Sequence, residues 1–110
     1  MKFIVDEPIQ VWLRNFVPDS EGFNWDIGNE RKNIKHGVIR EELESIFFQP
    51  YLFAGRIVEP VHDEWRGLIL GKSANGRRLA LIFTRRGNQV RPISCRSMRK
   101  EEQKLYEENF

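Results

Sequence analysis

At 110 residues, with 40 % hydrophobic and 31 % charged side chains, the chain suits one domain with one modest core, and its balance excludes wholesale disorder. No apolar run approaches the roughly 18 residues needed to span a bilayer, and Met1–Glu7 is too short and too acidic for a signal peptide, so a cytoplasmic protein is expected. The net charge of +2 is small, but its distribution along the chain is not uniform.

Met1–Val5 reads as a short strand. Ile9, Trp12, Leu13 and Phe16 stand at helical spacing, enough for a turn or two of helix. Pro18–Gly22 is a loop, and Phe23–Trp25 a short extended piece. Asp26 is placed to cap a helix that runs to about His36, with Gly28 weakening its start and Gly37 closing it. A second helix is expected over Arg40–Phe48, with Ile39, Leu43, Ile46 and Phe47 as its apolar stripe and Pro50 as its stop. From Tyr51 the period changes to that of strands. Tyr51–Val58 and Trp65–Leu70 come first. A hairpin turn follows at Ser73–Gly76, where Asn75 and Gly76 both tolerate positive φ. Arg78–Thr84 alternates Leu79, Leu81 and Phe83 with Ala80 and Ile82, the pattern of a central strand. A second turn at Arg85–Asn88 leads into Val90–Cys95, where Pro92 removes a ladder donor and marks an edge or a bulge. Met98–Glu108 closes the chain as a helix. The expected class is α+β: two N-terminal helices, an antiparallel β-meander and a C-terminal helix.

Charge follows this division. Residues 1–64 carry seven Lys/Arg against twelve Asp/Glu, and residues 101–110 carry one against four. Between them, residues 65–100 hold eight arginines, two lysines and no acid. Folded into one sheet, such a segment generates a positive field whose natural partner is phosphate. Arginine suits that role, because a guanidinium grips phosphate oxygens with two bonds and stacks on bases. Arg66, Arg77, Arg78, Arg85, Arg86, Arg91 and Arg96 are the candidates. Trp65 is either a stacking surface or a packing residue, and Phe83 reads as core. Lys35 and His36 are either cations stabilised by a helix C-terminus or a proton-transfer and phosphate-contact pair. Tyr106, four residues after Glu102 on one helix face, either packs or contacts phosphate. His62 reads as a loop residue. Cys95, the single cysteine, is a buried strand residue unless nearby arginines lower its pKa. Two histidines and one cysteine have no metal-ligand spacing, and there is no phosphate-binding glycine loop or nucleophile elbow, so neither metal nor other cofactor is expected.

Several blocks carry a family pattern. Trp25-Asp26, Gly28-Asn29, Lys35-His36-Gly37-Val38, Glu41-Glu42 and Phe47-Phe48 with Pro50 form the first. Glu64, Arg66, Gly71-Lys72, Gly76-Arg77 and Phe83-Thr84 form the middle, and Arg91, Ile93-Ser94, Arg96, Met98, Glu102 and Tyr106 the last. Together they resemble the BrnT toxins over about residues 23–108. Residues 1–22 then stand as an N-terminal extension and 23–110 as the BrnT-like domain. Arg99 and Cys95 depart from the pattern, where a small capping hydroxyl and a small apolar residue are usual. The resemblance implies a RelE-like ribonuclease toxin that cleaves RNA without metal. It also implies a cognate antitoxin with a ribbon-helix-helix DNA-binding domain, through which alone the toxin reaches operator DNA. In such a reaction Arg66, Arg86 and Arg96 bind phosphate and transition-state charge, Lys35 or His36 moves a proton, and Tyr106 touches phosphate. The rival reading is a non-catalytic module that binds nucleic acid or a partner on the same basic sheet.

Overall fold

A computed structural model describes residues 1–110. Its elements are β1 (Lys2–Ile4), α1 (Glu7–Arg14), α2 (Ile27–Lys35), α3 (Arg40–Ser45) running into a 3₁₀ turn (Ile46–Phe48), β2 (Leu52–Glu59), β3 (Arg66–Lys72), β4 (Arg78–Arg86), β5 (Gln89–Ser97) and α4 (Lys100–Glu108). The strands form one antiparallel sheet in the order β1-β2-β3-β4-β5. The α+β class and the order of meander and closing helix are as the sequence implies. The N-terminal helices number three rather than two, because the segment expected to make a helical turn or two forms a full two-turn helix, Glu7–Arg14. Asp6 caps that helix by accepting the Ile9 N–H at 3.0 Å, and Pro8 lies in its first turn.

The sheet has two unequal faces. On one, α1–α3 bury Ile9, Leu13, Val38, Leu43 and Ile46 against Ile69, Leu79, Leu81 and Phe83. On the other, Tyr106 of α4 and Met98, just before that helix, lie over Leu68, Leu70 and Ala80. β4 alternates between these two clusters, as a strand with neighbours on both sides must. Residues 1–24 take part in this packing: β1 pairs with β2, and Ile9, Leu13 and Phe23 sit in the larger core.

Two local expectations change, and the departure at Arg99 is compensated. Ile39 is 56 % exposed and stands at the N-cap of α3, outside the apolar stripe. In the Ser73–Gly76 turn only Gly76 takes positive φ (86°), and Asn75 does not. The Ser73 hydroxyl closes that loop instead, accepting the Arg77 N–H at 3.1 Å, while the Ala74 N–H donates to Ser45 Oγ on α3 at 2.9 Å. Arg99 offers α4 no side-chain cap. Glu102 supplies it from within the helix, accepting the Arg99 N–H at 2.7 Å.

β5 is an edge strand, and Pro92 also marks a bulge: Ser94 stands opposite Ile82, Pro92 opposite Phe83, and Ile93 is the extra residue. Its open edge is served by asparagines. Asn29 Nδ2 donates to the Pro92 carbonyl at 2.8 Å and the Asn24 carbonyl at 3.0 Å, and its Oδ1 accepts the Asp26 N–H at 2.7 Å. Asn33 Oδ1 accepts the Cys95 N–H at 2.8 Å. Both asparagines are buried, so each bond replaces a desolvated orphan. No helix is long and apolar enough to cross a membrane.

Replacing Asn29 with Ala strands two carbonyls and an N–H at this seam. Urea denaturation is expected to show a loss of about 1–3 kcal/mol. An unchanged midpoint would mean that water takes the place of the amide.

Candidate active site

α4 covers only the half of its face near the Ser73–Gly76 turn. The other half is open. Residues paired across an antiparallel sheet point to one side, and alternate residues of a strand do the same. Leu68 pairs with Ile82, Ile82 with Ser94, and Ala80 with Arg96. Arg66, Ile82, Ser94 and Arg96 therefore share this open face. Lys32 and His36 reach it from α2, one turn apart on the helix, and Arg99 from the start of α4. These side chains line a cavity of about 480 Å³ with no carboxylate in its wall.

A second groove of about 370 Å³ continues from it, sharing Lys32, Arg66 and Ile93 and adding Arg86 and Arg91. The bulge makes this continuation work. Arg91 and Ser94 are three apart and would face opposite ways on a regular strand. The extra residue brings Arg91, opposite Thr84, onto the side of Ser94 and Arg96.

Ion pairing sorts the cations. Arg96 is gripped by Glu102 through two bonds of 2.7 and 3.0 Å. Burial alone pushes the Glu102 carboxyl up, but the Arg96 bonds, the Arg99 N–H and the two positive charges outweigh it and hold the group below the usual carboxylate range. In the second groove, Arg86 pairs with Glu64 at 3.0 Å, and that bond first, then its charge, lowers the Glu64 carboxyl. Arg91 donates to Asn24 Oδ1 and Asp26 Oδ2, both at 2.8 Å. Asp26 is lowered chiefly by the Asn29 N–H and next by Arg91. Lys32, Arg66 and Arg99 make no ion pair. Arg66 goes further: its Nε is buried without a hydrogen-bond partner. This unpartnered guanidinium nitrogen stands where the acid-free cavity meets a groove whose two acids, Glu64 and Asp26, are already paired with Arg86 and Arg91.

Of the residues singled out in the sequence, the fold brings together His36, Arg66 and Arg96, with Arg86 and Arg91 alongside. It separates the others. Lys35 is exposed on α2 and lines neither groove; Lys32 does, a turn earlier. The signal was present, since Lys32 and His36 stand at i and i+4 and so share a helix face. Tyr106 is buried against Leu68 and Leu70 under α4, with the Arg78 guanidinium 5.9 Å from its ring centre, and lines neither groove. Arg78 pairs with Glu107. Arg77 is held by Glu42 and the Gly37 carbonyl, each at 2.9 Å, tying the first hairpin to the helices. Arg85 lies on the opposite face, stacked over Trp12. Trp65 lies there too, half-buried edge-on against Phe83. Burial pushes the Cys95 thiol up to about 12, so it stays protonated and inert. No three His, Cys, Asp or Glu side chains converge.

The lowered Glu102 carboxyl fixes a pH dependence. A group ionised more readily in the folded state adds stability that is complete above its ordinary value of 4.5 and fades as pH falls through the lowered native value. Glu102→Gln is expected to lose about 2 kcal/mol at neutral pH. That deficit should shrink steadily below about pH 4.5 in paired denaturation curves. A deficit that persists unchanged into strong acid would assign the loss to packing instead.

Comparison with curated proteins gives no match. The sequence does match one family model, described as "Ribonuclease toxin, BrnT, of type II toxin-antitoxin system", over residues 25–102. That span contains α2, the whole meander, every cation of the open cavity and the Glu102 that clamps Arg96, and on this match the chain belongs to the BrnT family of ribonuclease toxins.

Proposed function

We propose that the chain is a metal-independent endoribonuclease whose active site is the open cavity around Arg66, and that an antitoxin silences it by covering that cavity. The carrying observation is the unpaired Arg66, its Nε buried and orphaned between Lys32, His36, Arg96 and Arg99 in a wall without acid. Cleavage without metal needs three things: a phosphate held in line with the ribose 2′-oxygen, charge to meet the negative pentacoordinate transition state, and two proton transfers. Arg66 and Arg99 hold the phosphate. Arg96, kept in place by Glu102, adds charge without swinging free. His36, the one imidazole in the cavity wall, takes the proton of the 2′-hydroxyl. Lys32 gives a proton to the departing 5′-oxygen. The 2′-oxygen bonds to phosphorus as the 5′-oxygen bond breaks, leaving a 2′,3′-cyclic phosphate and a 5′-hydroxyl.

A cavity with three free cations repels its own closure and attracts an acidic segment, which gives an antitoxin its handle. The resemblance adds a RelE-like architecture, a ribbon-helix-helix antitoxin and contact with operator DNA only through it. The binding-module alternative uses the same surface without the two proton transfers.

Purified RNA incubated in EDTA tests this reading. The wild type is expected to cut it. Arg66→Ala should lower the cleavage rate by about 10²–10³-fold, the scale of one lost transition-state donor. Lys35→Ala, outside the cavity, should leave it unchanged. Salt dependence supplies an independent check: Arg66→Ala and Lys32→Ala should each reduce the slope of log affinity against log salt by about one. Undiminished binding with no cleavage by the folded wild type would favour the binding module.

A further inference from the structure

The opposite face of the sheet carries a second concave surface that the cavity chemistry leaves unused. We propose that the cleft between α1 and the outer ends of β3 and β4, walled by Trp12, Trp65 and Arg85, is an accessory RNA subsite that takes one base and its phosphate from the strand leaving the cation-lined grooves. The proposal rests on RNA being the substrate.

The cleft measures about 400 Å³, and Asp6, Ile9 and Arg56 also stand in its wall. Its one acid is already spent: Asp6 caps α1 through the Ile9 N–H and accepts from Arg56 Nε, both at 3.0 Å. Arg85 has no acidic partner. Its Nε donates to the Gly87 carbonyl of its own turn at 2.6 Å, and the guanidinium lies 4.7 Å from the Trp12 ring centre. The uncommitted charge in the cleft is therefore positive, and it sits on a flat guanidinium backed by an indole. Trp65, partly exposed, stands edge-on to Phe83 at 5.7 Å between ring centres and is fixed from below by it. Two indoles and a guanidinium are sequence-tolerant stacking surfaces for a nucleobase, and the free arginine meets the adjoining phosphate.

Continuity with the catalytic face favours a nucleic-acid strand over an acidic peptide. Gly67 stands opposite Phe83, and extending that register puts Trp65 opposite Arg85 and Glu64 opposite Arg86. The Thr84 hydroxyl donates to the Trp65 carbonyl at 2.8 Å, and Glu64 and Arg86 are paired, as that register requires. Alternation along a strand turns Arg86 toward the second groove and Arg85 toward the cleft. The paired ends of two strands are all that separates the two surfaces. An extended single strand that follows Arg66 and Arg86 off the edge of the sheet arrives at Arg85 and Trp65.

The test uses uncleavable 2′-O-methyl oligouridylates, three and twelve nucleotides long, titrated into the full-length protein and read by fluorescence anisotropy. The wild type should bind the longer strand more tightly. Arg85→Ala and Trp12→Ala should each cost about tenfold for the twelve-mer, the size of one base stack, and leave the trimer unchanged. Arg66→Ala should weaken both. Arg85 is exposed and unpaired, so its variant reports even where Trp12→Ala, which also packs on Phe16, fails to fold. Equal affinity of the wild type for both lengths, or full twelve-mer affinity in folded Arg85→Ala, overturns the subsite and leaves the cavity reading intact. That result would turn the cleft over to a peptide ligand. No binding of either strand by the wild type overturns both.

Discussion

The seam between α2 and β5 sets the geometry of everything else. β5 has no strand beyond it, and Pro92 has no N–H to offer the ladder on either side. Asn29 and Asn33, one turn apart, supply the missing partners to Pro92 and Cys95. A helix bonded to a strand edge at two points has little freedom to slide or roll. Its residues one position earlier and three later are then fixed as well. Lys32 and His36 stand over the open face of the sheet because Asn29 and Asn33 point into the seam. The Asp26–Asn29 capping box joins the same network, so the start of the helix and its docking are held by one amide. Gly37, at φ 75°, lets the chain leave immediately after His36.

Charge is the second organising constraint. The acid-free stretch looks in sequence like a continuous phosphate surface. In the fold, acids from the flanking segments reach across to it: Glu42 takes Arg77, Glu64 takes Arg86, Asp26 takes Arg91, Glu102 takes Arg96 and Glu107 takes Arg78. The flanks are acidic because they are the counter-charge. Most of these pairs are partly exposed and contribute little stability each. Their larger consequence is subtraction. With most of the arginines engaged, the positive potential concentrates where Lys32, Arg66 and Arg99 remain free, and a uniformly sticky face becomes a localised one.

This explains which parts of the protein were legible in its sequence. Period and punctuation carried the meander, the alternation of β4, the Asp26 cap and the bulge risk at Pro92, since those are set by nearest neighbours. The roles of individual arginines were not legible, because most depend on partners that only the fold brings close: Arg86 on Glu64, 22 residues away, and Arg91 on Asp26, 65 away. Which face a residue takes follows from local alternation, but only once the bounds and register of its element are fixed. Arg85 and Arg86 are adjacent and chemically identical, yet strand alternation sends them to opposite sides of the molecule. Lys35 belonged to the more conspicuous motif, but helical spacing favours Lys32 as the companion of His36. Tyr106 was correctly placed on the face of Glu102; that face is buried rather than open.

The family match covers residues 25–102, yet the larger core is closed by residues before it. Ile9, Leu13 and Phe23 cover Ile69, Leu79 and Phe83 on the side of the sheet away from the cavity, and Trp12, tilted against Phe16, leads into a run of edge-on rings from Phe16 through Phe23, Phe47 and Tyr51. Val38, Leu43 and Ile46 cover the rest of that face, so loss of the N-terminal cover would expose part of it to water, at a cost of roughly 1.5–3 kcal/mol for each large side chain exposed. The matched region thus contains the cation site but not the whole of its own support. A two-faced sheet allows this division: because alternate residues look opposite ways, one side of β3 and β4 can keep the polar groups of a reactive surface while the other accepts whatever apolar segment the chain provides. The N-terminal segment is held to apolar residues at Ile9, Leu13 and Phe23, and the half-buried positions around that contact, Trp12 among them, are where the segment can acquire a role of its own.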